Sequence, residues 1–329
     1  MVKIRHQTSN PVNLDKPRQW KADIAQSVDM YNDWFMAFAP KAFRATRIQT
    51  TKDVEAALCH TGYLTDIRPA MLLKHPQVLP ALRMSTCPPI AVDRLIGLSG
   101  ASANLVRCME EKKLPARMSP AAMDADLAKI ATIIEKMADP DIFVWLGRKK
   151  PPPSPEETHR AATIVADRLC GAVANPIIRN AQEQRQLANL KKWLEARGYR
   201  QLLAGNGAKF DAMPAGTFSF RMNVPARLES GAQSVNIPID AVIRPMSARK
   251  GEMPLFLEAK SAGDFTNTNK RRKEEAMKMA QLRGAYGKSV RFNLFLCGYF
   301  DSGYLGYEAA EGIDWVWEHR MDDLALFGI

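Results

Sequence analysis

Apolar residues recur at helical spacing through the first half of the chain. Asp15 can cap a helix that has Pro17 in its first turn, and apolar residues then follow three or four apart: Trp20, Ile24, Val28, Tyr31, Trp34 and Phe35. The same spacing predicts helices around 52–60, 90–97, 101–112 and 119–138, with prolines between them. An all-helical first half is therefore expected.

A basic, proline-rich stretch over 148–155, RKKPPPSP, marks the clearest boundary in the chain. Such a stretch is not compatible with a helix interior or a central strand. After it, the capping-box pattern Ser154-x-x-Glu157 predicts a helix to about 173, and a second helix is predicted from Pro176 to Arg197, before Gly198. We therefore expect a helical region over 1–150 and a second region over 151–329.

From Tyr199 onward the pattern changes to short runs of β-type residues. Strands are predicted over 216–224, 234–244, 254–260 and 290–297, and a strongly charged helix over about 268–285 separates the last two. This order predicts an α/β fold, a mixed sheet flanked by helices, beside the largely helical N-terminal region.

Composition narrows the class of protein. The 329 residues include 46 Lys and Arg against 35 Asp and Glu, a net charge of +11, and 46% are hydrophobic, as in globular proteins. The five cysteines are scattered without a C-x-x-C pair, which argues against a disulfide framework or a structural zinc site. No long apolar run stands out, so a cytoplasmic protein without a membrane segment is expected. The positive charge favours a polyanionic partner without identifying one.

The chemistry is concentrated in the window 236–260. Asp240 lies in one predicted strand and Glu258-Ala259-Lys260 closes the next, with seventeen residues between the two acids. Strand side chains alternate, so Glu258 and Lys260 project to one face, where two acids and a lysine can converge as neighbouring strands diverge. A carboxylate pair is a hard-oxygen site suited to Mg²⁺, and a lysine beside it can orient water and offset charge on a phosphate. These groups are the parts needed for phosphodiester hydrolysis.

The surroundings of this window favour a functional site over an exposed strand pair. Leu255-Phe256-Leu257 is apolar on both faces, as in a buried central strand that delivers two charges at its end. Buried charges require a metal, a partner or a cleft. Residues 244–291 carry twelve Lys and Arg against five Asp and Glu, net +7, so much of the positive excess lies beside the acids.

These residues carry a specific resemblance. Asp240 followed by Glu258-Ala259-Lys260 resembles the signature of the PD-(D/E)xK nuclease superfamily, and NIPIDAVI with LFLEAKSAGDFTNTNKRRKEEAMK resembles the XamI-type family of type II restriction endonucleases. The upstream segments IIRNAQEQRQL and GTFSFRMNV extend the resemblance, which is strongest over about 175–329. One departure is visible, because Ile239 separates Pro238 from Asp240, where the superfamily usually has proline directly before the aspartate.

The resemblance implies roles for individual residues. Asp240 and Glu258 would hold Mg²⁺, and Lys260 would orient the attacking water. Glu183 matches the acid that related folds often add from the helix before the first strand, although a solvated helix face is as good an account. Gln281 would contact Lys260 or DNA, with simple solvent exposure as the plainer reading.

DNA contacts are expected from the segment after the motif and from one turn in the helical half. Asn amides suit adenine edges, Arg suits guanine edges and Lys suits phosphates. The candidates in the segment are Asn267, Asn269, Lys270, Arg271 and Arg272. The turn at Ser99-Gly100 resembles a helix-hairpin-helix turn, which can present backbone N–H groups to a phosphate, and an ordinary interhelical turn is the alternative.

The resemblance therefore implies a Mg²⁺-dependent endonuclease on a PD-(D/E)xK core, acting on double-stranded DNA and leaving 5′-phosphate and 3′-hydroxyl ends. A short palindromic site, for which the resemblance suggests GTCGAC, implies a homodimer whose two-fold axis matches that of the site. Two alternatives remain open, a repair or mobile-element nuclease on the same core and a non-catalytic DNA-binding module.

Overall fold

The computed structural model describes residues 11–147, 152–203, 209–227, 234–249, 251–266 and 268–329. Its α-helices are α1 (Pro17–His60), α2 (Pro69–Lys74), α3 (Leu79–Met84), α4 (Val92–Ser99), α5 (Ala103–Glu110), α6 (Pro120–Met137), α7 (Pro155–Glu195), α8 (Thr268–Tyr286) and α9 (Ser302–Ala310). Its strands are β1 (Arg200–Gln201), β2 (Thr217–Arg227), β3 (Ser234–Arg244), β4 (Leu255–Ala262), β5 (Arg291–Gly298) and β6 (Trp315–Trp317). Short 3₁₀ segments are Pro76–Val78, Phe210–Ala212 and Glu318–Phe327.

The chain forms two compact units. One, the sheet unit, comprises Met1–Ala37 and Arg179–Ile329, and the other, the helical unit, comprises Phe38–Ile178. The expected division at residue 150 is not where the units separate, because the chain passes from one to the other at residues 37–38 and 178–179. Both of these passages lie within helices, α1 and α7, and neither lies in the proline-rich stretch. Residues 148–151 of that stretch lie outside the described part of the chain.

The prediction of two helices between 154 and 197 is wrong, because α7 runs unbroken through Pro176. A proline inside a helix removes one backbone hydrogen bond, a local cost that packing can outweigh. Early in α7, Ala162, Val165 and Leu169 are buried in the core of the helical unit, and near its end Leu190 and Leu194 are buried in the sheet unit.

By length and composition alone, α7 is long and apolar enough to cross a membrane, whereas we expected no membrane segment from the sequence. In the most apolar 18-residue stretch of α7, 39% of the residues are buried. Core helices of globular proteins have the same length and apolar composition.

The sheet unit is built on a six-stranded mixed sheet in the order β1-β2-β3-β4-β5-β6. Strands β2, β3 and β4 are antiparallel neighbours, whereas β1 joins β2, β5 joins β4 and β6 joins β5 in parallel. The predicted mixed sheet flanked by helices is confirmed, and so are the four predicted strands. The two edge strands, β1 and β6, were not predicted.

Both faces of the sheet are covered. Phe256 faces a core that includes Met279 and Leu282 of α8 and Tyr304 of α9. Its neighbours on either side, Leu255 and Leu257, face the opposite core with Leu190 and Trp193 of α7. This alternation places the side chains at even-numbered positions of β4 under α8.

Strands β4 and β5 approach closely at their ends. Gly298 has a φ of +99°, and a Cβ atom built there would lie 2.1 Å from the carbonyl oxygen of Ala262. The Tyr299 N–H donates to the same carbonyl oxygen at 2.9 Å. Glycine is therefore required at 298 for both conformational and steric reasons.

Candidate active site

The site lies where β3 and β4 separate. The two strands pair only from Ile243–Leu255 to Ala241–Leu257, so Asp240 and Glu258 occupy the next opposed positions. Asp240 Oδ2 accepts a hydrogen bond from the Ala259 N–H at 2.9 Å. A side-chain carboxylate thus satisfies a backbone donor at the point of divergence, which fixes Asp240 beside the end of β4.

Glu258 and Lys260 share one face of β4, as the alternation of strand side chains predicts. Lys260 Nζ lies 3.1 Å from Glu258 Oε1. Glu258 is only 4% exposed, and the side chain of Lys260 is 18% exposed. Two charged groups at the end of a buried strand are therefore paired, as burial requires.

Helix α8 adds two charged residues, three positions apart, to the cluster formed by Asp240, Glu258 and Lys260. Lys278 Nζ donates to Glu258 Oε1 at 2.6 Å and to the Pro238 carbonyl oxygen at 3.0 Å. Glu275 Oε1 lies 3.5 Å from Lys260 Nζ, and its other oxygen accepts from the Tyr304 hydroxyl at 2.7 Å. Sequence reasoning missed both residues, although an acid and a lysine three apart project from the same side of a helix.

Burial and charge act together on the ionisable groups. Burial, and secondly the charge of Glu258, raise the pKa of Asp240 to about 6, while Lys260 and the Ala259 N–H oppose this shift. For Lys260, burial lowers the pKa, but the carboxylates of Glu258 and Glu275 outweigh it and hold the pKa above the usual lysine value. Lys260 is therefore an ammonium group at neutral pH.

The residues present fit a divalent cation that binds oxygen. Glu258 Oε2 is buried without a hydrogen-bond partner, although the other oxygen of this carboxylate receives two ammonium groups. A buried unsatisfied carboxylate oxygen is costly, and a cation bound there would remove the cost. Within the described ranges no cluster of three or more Asp, Glu, His or Cys side chains forms a metal cage. Two carboxylates with water are the usual protein contribution to a Mg²⁺ site.

A further buried acid lies next to Glu275. Glu308, on α9, is fully buried beside Glu275. Burial and then the negative charge of Glu275 raise the pKa of Glu308 to about 9. At neutral pH Glu308 therefore keeps its proton, and the glutamate that faces Lys260 is Glu275.

This proton makes folding stability depend on pH. The pKa of Glu308 is about 9 in the folded chain against 4.5 for an ordinary glutamate. The folded state therefore keeps a proton that the unfolded state releases, and the contribution is complete below about pH 4.5 and is lost as the pH rises through 9. In Glu308→Gln no proton is released on unfolding. We therefore expect the free energy of unfolding of this variant, relative to that of the wild type, to rise by about 1–3 kcal/mol from pH 6 to pH 9. Urea unfolding followed by tryptophan fluorescence measures this difference.

The control for this measurement is Glu274→Gln, which removes an exposed acid from the adjacent position of α8. The free energy of unfolding of Glu274→Gln should equal that of the wild type at both pH 6 and pH 9. An equal difference between Glu308→Gln and the wild type at pH 6 and at pH 9 would show that Glu308 carries no proton of this kind.

The other predicted site residues lie on the expected elements. Glu183, on α7, accepts from Arg221 Nη2 at 2.8 Å, and its side chain is 39% exposed. One turn further, Gln186 Nε2 donates to the Lys260 and Phe295 carbonyl oxygens at 3.4 Å each. Gln281 is half-buried on α8, one turn beyond Lys278, but the described contacts to Glu258 and Lys260 come from Lys278 and Glu275. The roles of Glu183 and Gln281 stay predictions.

Arg221 has an unusual backbone. By the register of β2 and β3 it lies opposite Asp240, and its φ is +52°, in the left-handed region. A non-glycine residue in this conformation within a strand is rare and is found most often beside functional sites.

The predicted DNA contacts are only partly described. Asn267 and the side chains of Asn269, Lys270 and Arg271 lie outside the described part of the structure. The Arg272 guanidinium lies 4.8 Å from the centre of the Tyr307 ring on α9, so Arg272 packs against the protein instead of extending into solvent.

In the helical unit, the turn at Ser99 and Gly100 connects α4 to α5. Gly100 adopts the left-handed conformation that ends α4, and Ser99 Oγ accepts from the Ala101 N–H at 3.2 Å. The Ser102 N–H, at the start of α5, donates to Asp126 at 2.9 Å. A carboxylate thus already occupies one donor that a DNA phosphate would use, and DNA contact at this turn stays a prediction.

Known proteins resemble this chain over most of its length. The chain is 52% identical over 317 residues to the type II restriction enzyme SalI of Streptomyces albus G, covering 96% of this chain and 99% of that enzyme. Protein VC1899 of Vibrio cholerae, known from a crystal structure, is 13% identical, and the match covers 87% of this chain and 55% of VC1899 with a TM-score of 0.28. The family model of XamI restriction endonucleases matches residues 62–317, which include Asp240, Glu258 and Lys260. The chain therefore belongs to the XamI restriction endonuclease family.

Proposed function

We propose that this protein is a Mg²⁺-dependent type II restriction endonuclease with a PD-(D/E)xK core that hydrolyses double-stranded DNA at a short palindromic site. The observation that carries the proposal is the convergence of Asp240, Glu258 and Lys260 at the diverging ends of β3 and β4 in a restriction endonuclease family.

Asp240 and Glu258 would hold the metal ion, through the oxygens that are not already engaged by Ala259, Lys260 and Lys278. When bound, Mg²⁺ supplies a Lewis acid that neutralises phosphate charge and lowers the pKa of a bound water.

Lys260 orients the attacking water and stabilises negative charge on the phosphate. It has three N–H donors and no acceptor, and its pairing with Glu258 and Glu275 keeps it charged. It therefore acts by position and charge and does not remove the proton from the water. Glu275 holds Lys260 from the side of α8, so it is a positioning residue.

In the reaction, the water oxygen forms a bond to phosphorus in line with the departing 3′ oxygen, and the bond from phosphorus to that oxygen breaks. The water loses a proton to solvent, and the 3′ oxygen gains one. The products are a 5′-phosphate and a 3′-hydroxyl.

The proposed recognition site is GTCGAC. A palindrome presents two identical half-sites, so the active form is expected to be a homodimer with a matching two-fold axis. Asn267, Asn269, Lys270, Arg271 and Arg272 are proposed to contact DNA as α8 begins, and the helical unit is proposed to contribute to DNA binding or to the dimer interface.

The test is incubation of the purified protein with Mg²⁺ and a long phage DNA that contains several GTCGAC sites. We expect discrete fragments whose lengths match the spacing of those sites and whose ends can be religated. A smear or nicking at irregular DNA structures would favour a repair nuclease. Binding without cleavage would favour a non-catalytic DNA-binding module. Discrete fragments of other lengths would reject only the recognition sequence GTCGAC and would leave the proposed restriction activity intact.

A further inference from the structure

Strands β2 and β3 continue past the active site as a two-stranded ribbon. Beyond Asp240 the two strands keep pairing with each other, from Met222–Ile239 to Arg227–Ser234. Within the described residues, β1 pairs with β2 and β4 pairs with β3 only on the other side of Asp240. Residues 222–227 and 234–239, which we call the ribbon, therefore have no described strand along either edge.

The two faces of the ribbon differ in burial and in chemistry. The residues of one face are buried in the core that α8 helps to form, and these are Met222, Val224, Ala226, Ile237 and Ile239. The other face is exposed and carries Asn223, Pro225, Asn236 and Pro238.

The two asparagines of the exposed face are diagonal neighbours. Asn223 lies opposite Pro238, and Asn236 lies opposite Pro225. Diagonal neighbours of this kind are about 7–8 Å apart. In the part of the chain that the structure describes, neither amide has a hydrogen-bond partner. Both amides are therefore available to a ligand that lies along this face.

Helix α8 fixes the ribbon from its buried side. The Tyr286 hydroxyl donates to the Pro225 carbonyl oxygen, and Lys278 Nζ donates to the Pro238 carbonyl oxygen at 3.0 Å. One contact holds each strand, so the exposed amides stand on a rigid support, as a recognition element requires. The prolines have no N–H to offer to a further strand, which makes the ribbon a poor template for strand addition by another chain.

Charge and position indicate that the ligand of this face is DNA. The ribbon and Arg221 together contain two arginines and no acidic residue. The Arg221 side chain is 59% exposed although it pairs with Glu183, and Arg221 lies opposite Asp240. A strand rises about 3.4 Å per residue, so Asn223 lies about 7 Å from Arg221 and Asn236 about 14 Å from Asp240. These distances correspond to about two and four base-pair steps from a phosphate held at Asp240.

The dimensions of the ribbon select one groove. The major groove of B-DNA, about 12 Å wide, admits a two-stranded ribbon, whereas the minor groove is about 6 Å wide. We propose that the ribbon enters the major groove beside the scissile phosphate and that Asn223 and Asn236 read base edges there. An asparagine amide donates to N7 of adenine and accepts from its N6 amino group, which distinguishes this base from the others. This inference rests on the proposed function, since it takes Asp240 to mark the position of the scissile phosphate.

The experiment measures the binding of Asn223→Ala and Asn236→Ala to short duplexes by fluorescence anisotropy in Ca²⁺. One duplex contains the site that the wild type cleaves, which is expected to be GTCGAC, and the others carry single base-pair changes within it. We expect each variant to discriminate about tenfold less than the wild type against changes at one base pair. The affected base pair should differ between the two variants, because the amides are diagonal neighbours. Unchanged discrimination, or an equal loss of affinity for every duplex, would overturn the inference.

The matched control is Gln26→Ala, which removes an amide from an exposed position of α1. Its affinities for all the duplexes should equal those of the wild type. If an alanine variant fails to fold, as judged by circular dichroism, Asn223→Thr and Asn236→Thr remove the same amides with a residue that favours strands.

The groove is tested with duplexes whose purines lack N7, an atom that is accessible only from the major groove. With 7-deazapurines in the site, the affinity of the wild type is expected to fall about tenfold further than that of the double variant Asn223→Ala/Asn236→Ala. Equal losses in the two proteins would reject a contact between these amides and the major groove.

Cleavage by the wild type separates this inference from the proposed function. If the wild type produces no discrete fragments from phage DNA in Mg²⁺, the proposed function is rejected, and the inference with it. Discrete fragments from the wild type, together with unchanged discrimination by both asparagine variants, would reject only the role of the ribbon.

Discussion

Asp240→Asn is expected to lower the cleavage rate by about a thousandfold or more while leaving DNA binding almost unchanged. The substitution removes one of the two carboxylates proposed to hold the metal, whose electrostatic contribution amounts to several kcal/mol, or about three powers of ten in rate. The side chain keeps its shape, and its amide oxygen can still accept from the Ala259 N–H, as Asp240 Oδ2 does at 2.9 Å. Fragment formation over time in Mg²⁺ and a mobility-shift assay in EDTA, without any divalent cation, measure the two quantities separately.

The matched control is Asp29→Asn, which makes the same chemical change at an exposed position of α1. It should cleave DNA at the wild-type rate. Cleavage by Asp240→Asn within tenfold of the wild type would remove Asp240 from the reaction, and a parallel loss of cleavage and DNA binding would indicate a structural role instead.

Lys260→Ala is expected to lower the cleavage rate about a hundredfold to a thousandfold, because the reaction loses the donor that orients water and offsets phosphate charge. The variant should still bind Mn²⁺, since the carboxylates of Asp240 and Glu258 remain. Retention of metal binding with loss of cleavage distinguishes Lys260 from a metal ligand. Cleavage by this variant at the wild-type rate would contradict the assignment of Lys260 to the active site, although the chain could still be a nuclease.

Stability must be controlled in this experiment. Removing Lys260 leaves Glu275, which is fully buried, without the ammonium group 3.5 Å away, and an unpaired buried charge destabilises a fold by about 3–5 kcal/mol. The double variant Lys260→Met/Glu275→Gln removes both charges and keeps both side-chain sizes. It should recover most of the lost stability without recovering cleavage, whereas recovery of both would show that the single variant was inactive through misfolding.

The elements that determine the site were predictable because local patterns encode them. Strand β4 reads as an apolar run ending in two charges, and the alternation of strand side chains is enough to place Glu258 and Lys260 on one face, where they lie 3.1 Å apart. The divergence of β3 and β4 at Asp240 also followed from the placement of the charges at strand ends. Family resemblance then assigned the chemistry.

Other parts of the site depend on tertiary packing and could not be predicted. Glu275 and Lys278 lie in a helix so rich in charged residues that its sequence has no clear apolar face. The side that packs on the sheet could therefore not be predicted. Glu308 lies on α9, and no local pattern indicates that an acid there is buried against Glu275. The continuity of α7 through Pro176 is of the same kind, since the local cost of proline is visible in the sequence and the packing that offsets it is not.

Gly298 limits how this enzyme can be diversified. Any side chain there would press on the Ala262 carbonyl at the end of the strand that carries Glu258 and Lys260. In a library designed to change the recognition sequence, codon 298 would therefore mainly yield inactive clones, although it contributes no group to the reaction. Sequence variation among descendants of this enzyme should therefore be nearly absent at position 298.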